Sequence, residues 1–226
     1  MIKIKKNYYK FNFDTYNKLW TTVKRALGEN YQRKTSSEIF FKSKNAVSLE
    51  KFMKKRERIN YDTACSFFSS IANQLLDLEK YNLTVPFFEI KDFVVISDDA
   101  GTRFIYINND KLLPIKDNFV IIDQPYKKNN FFSPELNSCS SLPCKISSKS
   151  GFFSLAALTV FLLTNETVTK RIIEDGFFWR IPTPPNEVLN IGNPALLLGL
   201  IYNTKLYWAL ERCLMLNHEK RYYLFI

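Results

Sequence analysis

The stretch that decides the fold runs from residue 87 to residue 107, FFEIKDFVVISDDAGTRFIYI. Phe93 to Ile96 is a continuous apolar run, Asp98-Asp99-Ala100-Gly101 supplies turn residues, and Arg103 to Ile107 returns. This is the signature of a buried β-hairpin. On both sides the period changes. Upstream, Cys65, Phe68, Ile71, Ala72, Leu75 and Leu78 recur at helical spacing in a segment opened by Asp62. Downstream, Gly151 to Thr164 (GFFSLAALTVFLLT) is mostly apolar, too short to span a bilayer, and reads as a buried core helix. A hairpin set between long helices predicts an α+β fold, mainly helical, rather than alternating βαβ units.

Farther out the pattern weakens. Residues 1–13 alternate irregularly and fit either a strand or a loose arm. Asp14 is a plausible cap for a helix ending at Gly28, with Tyr16, Leu19, Trp20, Val23 and Leu27 on one face. Glu38 to Lys42 reads as a short strand. Ser48 is placed to cap a basic helix over 48–58. Leu112 to Ile122 holds two short extended runs, 123–150 reads as loop, and 165–203, with Pro182, Pro184, Pro185 and Pro194, as irregular. Thr204 to Leu216 predicts a final amphipathic helix.

The net charge of +10 is unevenly placed. Residues 1–58 hold 16 Lys/Arg against 5 Asp/Glu, whereas residues 59–226 hold 16 against 17. The densest cluster is Lys51, Lys54, Lys55, Arg56 and Arg58, expected to face an anionic partner. With Tyr8, Tyr9, Phe11, Phe13, Tyr16 and Trp20 nearby, the basic segment fits a nucleic-acid surface as well as a merely solvated face. Asn, Lys, Phe and Tyr supply 75 of 226 residues, which points to an AT-rich genome such as that of a large DNA virus or a parasite. That bias weakens arguments from lysine alone.

The four cysteines, Cys65, Cys139, Cys144 and Cys213, form no C-x-x-C, and His218 is the one histidine. A zinc site and a histidine-based hydrolase are therefore not expected. Cys139 and Cys144 are close enough to pair, but free thiols in a reducing compartment are the expectation. The start, MIKIKKNYYKFNF, lacks the apolar run of a signal peptide. The expected location is cytoplasmic, in the host cytoplasm or virion if the source is viral, with no transmembrane segment.

Several short motifs then fall into one order. Phe132-Ser133-Pro134-Glu135 is similar to the A-P-E motif that closes a protein kinase activation segment. Phe153-Ser154-Leu155-Ala156 is similar to the W-S-x-G start of the kinase central helix. Leu210-Glu211-Arg212-Cys213-Leu214 followed by Asn217-His218-Glu219-Lys220-Arg221 resembles the late kinase pattern that ends in an arginine. Val47-Ser48-Leu49-Glu50 resembles the opening of modules made of the kinase C-lobe alone. The chain from about residue 39 thus resembles the protein kinase superfamily. The resemblance implies a reduced N-lobe or basic arm over 1–47, a kinase-like C-lobe over 48–226, and a structural pair of Glu135 with Arg221.

The same resemblance implies lost chemistry. Phosphoryl transfer needs a phosphate cradle, a proton-accepting carboxylate and ligands for Mg²⁺. No glycine-rich loop is present, since only Gly28 precedes residue 101, and no V-A-I-K strand is recognisable. Phe87-Phe88-Glu89-Ile90-Lys91 aligns with H-R-D-L-K, leaving Glu89 and Lys91 as catalytic residues if the chain is active. Asp92 and Asn108 are then the candidates for a nucleotide and its metal. Gly151 stands where an aspartate braces the catalytic loop. The expectation is a catalytically inactive kinase-like scaffold that binds a protein partner and needs no cofactor. The alternatives are an atypical Ser/Thr kinase using ATP and Mg²⁺, and a basic structural or nucleic-acid-associated protein.

Overall fold

The computed structural model describes residues 1–13, 18–35, 37–54, 56–99, 101–168 and 198–223. The chain is α+β, with several small antiparallel sheets and six helices among the described residues. Strands β1 (Ile2–Lys5), β2 (Tyr8–Asn12), β3 (Tyr31–Lys34) and β4 (Glu38–Lys42) form one sheet in the order β1-β2-β4-β3. Helix α1 (Leu19–Leu27) covers its inner face, where Tyr9, Phe11, Ile39 and Phe41 are buried with Trp20 and Val23. Residues 1–13 are therefore a hairpin, not an arm. Their aromatics, apart from the half-buried Tyr8, are core, which removes most of the stacking surface expected there. Asp14 and Tyr16 lie outside the described residues.

Strand β5 (Asn45–Ser48) is the edge of a second sheet, ordered β5-β7-β8, in which β7 (Phe93–Asp98) and β8 (Gly101–Tyr106) are the expected hairpin. Helix α2 (Leu49–Met53) follows β5, with the Ser48 hydroxyl accepting from the Lys51 N–H at 3.3 Å. It ends five residues short of the predicted basic helix. Helix α3 (Tyr61–Glu79) is capped by Asn60, whose carbonyl oxygen accepts from the Thr63 N–H at 2.9 Å, rather than by Asp62. Two two-stranded sheets complete the β structure: β6 (Leu83–Thr84) with β9 (Leu113–Pro114), and β10 (Phe119–Ile122) with β11 (Cys144–Ser147). The β structure is thus richer than one central hairpin. Strands of two to four residues carry too few alternations to be read from sequence.

Helix α5 (Ser150–Thr164) is buried on nearly every side, as an all-round apolar helix must be. It lies against α3 and the last helix, α6 (Lys205–Cys213). Helix α4 (Pro134–Asn137) is a single turn capped by Ser133, inside the stretch expected to be loop. Cys139 and Cys144 form a disulfide behind it, correcting the expectation of free thiols; Cys65 and Cys213 remain free. Closing so short a loop contributes about 2 kcal/mol on the chain-entropy account.

Gly151 is the tightest point of the assembly. A Cβ there would lie 2.1 Å from the backbone carbonyl oxygen of Val85. The helix thus presses directly on the chain that leads into Phe87 and Phe88. Gly151→Ala is expected to destabilise by about 3 kcal/mol or more, since the clash falls on backbone rather than on a yielding side chain. At Gly199 an added methyl would meet no atom within 4 Å, so Gly199→Ala should stay within about 0.5 kcal/mol; urea titration of both variants checks the contrast.

Candidate functional site

The site is built on residues 87–92. Phe87 and Phe88 are buried, Phe87 among Val120, Phe132 and Leu136, and Phe88 in the main core. Their backbone is held from below: the Phe88 N–H donates to Ser154 Oγ of α5 at 2.8 Å. Gly151 and Ser154, one turn apart, therefore brace this loop together, the first by close approach and the second by a hydrogen bond. The loop then closes on itself. The Glu89 N–H donates to Asp92 Oδ2 at 2.8 Å, and the Asp92 N–H donates to the Glu89 carbonyl at 3.0 Å.

Asp92 is only 1% exposed, so its carboxylate needs internal partners. It has three. Besides the Glu89 N–H, the Asn108 side-chain amide donates to Oδ1 at 2.8 Å, and Lys111 Nζ donates to Oδ2 at 2.6 Å. Lys111, itself 5% exposed, also reaches Glu89 Oε2 at 2.6 Å. Its ammonium lies 4.3 Å from the centre of the Phe87 ring. One cation is thus held between two carboxylates and over an aromatic face. Lys91 Nζ approaches Glu89 from outside, at 3.1 Å. Burial pushes the Glu89 carboxyl upward, but the hydrogen bonds and charges of Lys111 and Lys91 outweigh it and hold the group below its ordinary value.

This arrangement brings Glu89, Lys91, Asp92 and Asn108 together, as the sequence expects of a working site, and adds a residue that sequence reasoning misses. A divalent cation shared by Glu89 and Asp92 would have to displace Lys111, whose covalent tether keeps it at high local concentration. Among the described residues no cluster of three or more His, Cys, Asp or Glu is placed to hold a metal. With the Lys111 ammonium seated between them, Glu89 and Asp92 do not fit a shared Mg²⁺. Helix α1, sequence LWTTVKRAL, supplies no carboxylate. Lys10 of β2 is bonded to Glu38 at 2.5 Å on the outer face of the first sheet. Tyr106 is a fully buried core residue, its phenol pushed well above the ordinary tyrosine value by burial.

Beside the loop is a cleft of about 510 Å³ between the first sheet, strand β5 and the start of β7. Tyr9, Phe93, Val94 and Ile107 give it apolar walls, and Lys3, Lys51 and Lys91 give it positive charge. Among the described residues strand β5 pairs with β7 alone, so alternate backbone N–H and C=O groups on its other edge have no described strand to pair with. The basic cluster is not one helix face. Lys51 lines this cleft, Lys54 and Arg58 are exposed, and the exposed Arg56 stacks its guanidinium 4.4 Å from the Phe52 ring centre. Lys55 lies outside the described residues.

A second charged pair lies at the far end. Arg221, with no exposed surface, forms two bonds to Glu135, Nη1 to Oε1 at 2.5 Å and Nη2 to Oε2 at 2.9 Å. Its remaining donors reach the carbonyls of Met215 and Leu216, and its plane lies 5.0 Å from the Phe153 ring centre. Ser150 Oγ donates to Glu135 Oε1 at 2.6 Å. The pair ties α4, α5 and the segment after α6 into one joint. Here too burial raises the carboxyl, and the Arg221 bonds and charge reverse that and hold Glu135 below its ordinary value.

No protein-family model matches the chain, and no curated protein matches it. Among the described residues no helix is long and apolar enough to cross a membrane.

Removing one partner of the fully engaged pair leaves a buried charge. Glu135→Ala is therefore expected to cost about 3–5 kcal/mol, and Glu135→Leu combined with Arg221→Met much less than the sum of its parts. Denaturant titrations of the wild type, Glu135→Ala, Glu135→Leu, Arg221→Met and the double variant check this. The depressed native pKa of Glu135 means that the pair's contribution is complete above the ordinary value of 4.5 and is lost as pH falls through the native value. Glu135→Gln should accordingly lose stability most at neutral pH and show a flatter stability profile below pH 4.5.

Proposed function

We propose that this chain is a kinase-like pseudoenzyme: a binding or scaffold module that recognises a protein partner and does not transfer phosphate. The observation that carries the reading is the Lys111 ammonium, 2.6 Å from both Glu89 and Asp92. The positions that phosphoryl transfer would give to a metal and to a proton acceptor are joined to each other through a side chain of the protein. Supporting it are the order of elements, a small sheet with one helix followed by an edge strand, a long helix, a loop and a hairpin, and the Glu135–Arg221 joint beside a buried helix. The resemblance implies a reduced N-lobe or basic arm ahead of a C-lobe, and a pairing of Glu135 with Arg221.

Protein recognition is assigned to the face beside α4. A groove of about 400 Å³ lies there, lined by Ile122, Tyr126, Phe132 and Leu136 and walled by Cys139 and the exposed Leu142. Such an apolar recess rimmed by Gln124, Lys128 and Ser140 suits an apolar side chain of an extended peptide.

Calorimetric titration with ATP, with and without Mg²⁺, tests the loss of catalysis. No Mg²⁺-dependent heat is expected up to about 1 mM nucleotide, and no phosphate release above background. Mg²⁺-dependent binding with turnover that Glu89→Ala abolishes would restore the kinase reading. For the binding role, peptides selected against the full chain should lose affinity at least ~10-fold for Leu142→Asp and keep it for Lys91→Gln. The reverse pattern would move recognition to the cleft.

A further inference from the structure

The outer face of the first sheet carries a pattern that the pseudoenzyme reading does not use. Residues directly opposite each other across strands share a face. Tyr8 of β2 faces Lys5 on one side and Lys42 on the other. Phe40 of β4 faces Lys10 on one side and Arg33 on the other. Two rows therefore repeat one unit, an aromatic ring flanked by a cation on each neighbouring strand. Lys5 Nζ lies 4.6 Å from the Tyr8 ring centre, and the Arg33 guanidinium 4.6 Å from that of Phe40. Both rings are half-buried, while Lys5, Arg33 and Lys42 are exposed.

The charge is one-sided. By strand pairing the outer face carries Lys5, Lys10, Arg33 and Lys42 and one carboxylate, Glu38, which Lys10 already engages, whereas Lys3 and Lys34 sit opposite the inward-facing Tyr9 and Ile39. Tyr8 and Phe40 are diagonal neighbours, which places them about 7–8 Å apart, within reach of successive nucleotides in an extended strand. A single strand offers what this face accepts: unpaired base faces for the rings and phosphates for the cations between them. A duplex hides its base faces, so it could use only the cations.

We propose that the outer face of the β1-β2-β4-β3 sheet binds single-stranded nucleic acid, with bases stacking on Tyr8 and Phe40 and phosphates held by Lys5, Arg33 and Lys42. The aromatics that matter are the two left half-open on the outer face. Tyr9, Phe11 and Trp20, which the sequence makes equally prominent, are spent in the core.

The test is fluorescence anisotropy of a labelled single-stranded RNA or DNA oligonucleotide with the full chain, at about 50 to 200 mM salt. Three phosphate contacts predict a log–log salt slope of about −2, and Arg33→Gln with Lys42→Gln should flatten it by about 1.4. Tyr8→Leu and Phe40→Leu keep the apolar volume but remove the ring, and each should weaken binding by ~5-fold or more. Lys51→Gln with Lys91→Gln, in the cleft, should leave binding unchanged, which separates this surface from the pseudoenzyme site. Thermal melts confirm that each variant is folded, and the charge variant decides the matter if a ring variant is not. No binding at about 50 mM salt would overturn the proposal. So would binding that ignores both ring substitutions and is displaced equally by duplex DNA and heparin.

Discussion

A full charge withdrawn from water must meet its opposite inside the protein, and this chain is organised around two places where that happens. Arg221 has no contact with solvent, so the chain after α6 can reach its position only if Glu135 is already turned inward to receive it. Ser150 then fixes Glu135, which fixes where α5 begins. Lys111 imposes the same demand nearer the centre. Its ammonium cannot be buried without Glu89 and Asp92, and Asp92 cannot be buried without Lys111 and Asn108. Each joint draws together segments far apart in sequence, which is what turns a set of small sheets and short helices into one core.

These joints also explain why the loop at 87–92 is so rigidly placed. Gly151 lets α5 touch the backbone at Val85, Ser154 receives the Phe88 N–H, and the two phenylalanines anchor opposite sides in separate apolar clusters. A loop held this way can present Glu89 and Lys91 to solvent in a fixed geometry while keeping Asp92 dry. That is the design of a site that positions groups. What it lacks is an open coordination position, because the cation is part of the chain.

The long elements are legible in the sequence. The helical period of α3, the apolar run of α5 and the turn between β7 and β8 are strong local signals, and they appear where expected. Glu135 and Arg221, 86 residues apart, are brought into contact by the structure as the motif order anticipates. Short elements are not legible, because strands such as Leu83–Thr84 and Leu113–Pro114 exist only through their pairing. Lys111 is invisible for a related reason. It follows Asn108-Asn109-Asp110 in a polar turn, and its two carboxylates come from 19 and 22 residues earlier. In sequence Gly151 looks like the loss of a bracing aspartate, whereas its missing side chain is what allows the helix to approach and hand the brace to Ser154. The basic segment is conspicuous for its density along the chain, but the sheet distributes those charges by strand parity. Tyr9, Phe11 and Phe41 turn inward as a result, and Tyr8 and Phe40 outward.

Lys111 lies between Glu89 and Asp92, and the proposal that this chain does not transfer phosphate rests on that contact. The most direct measurement is titration of Mn²⁺, followed by electron paramagnetic resonance, into the wild-type chain and into Lys111→Ala. No uptake by the wild type is predicted at about 1 mM, and one site in the variant that Glu89→Gln removes. Equal uptake by both proteins, lost in each on Glu89→Gln, would mean that a metal enters beside the lysine and would contradict that role for Lys111.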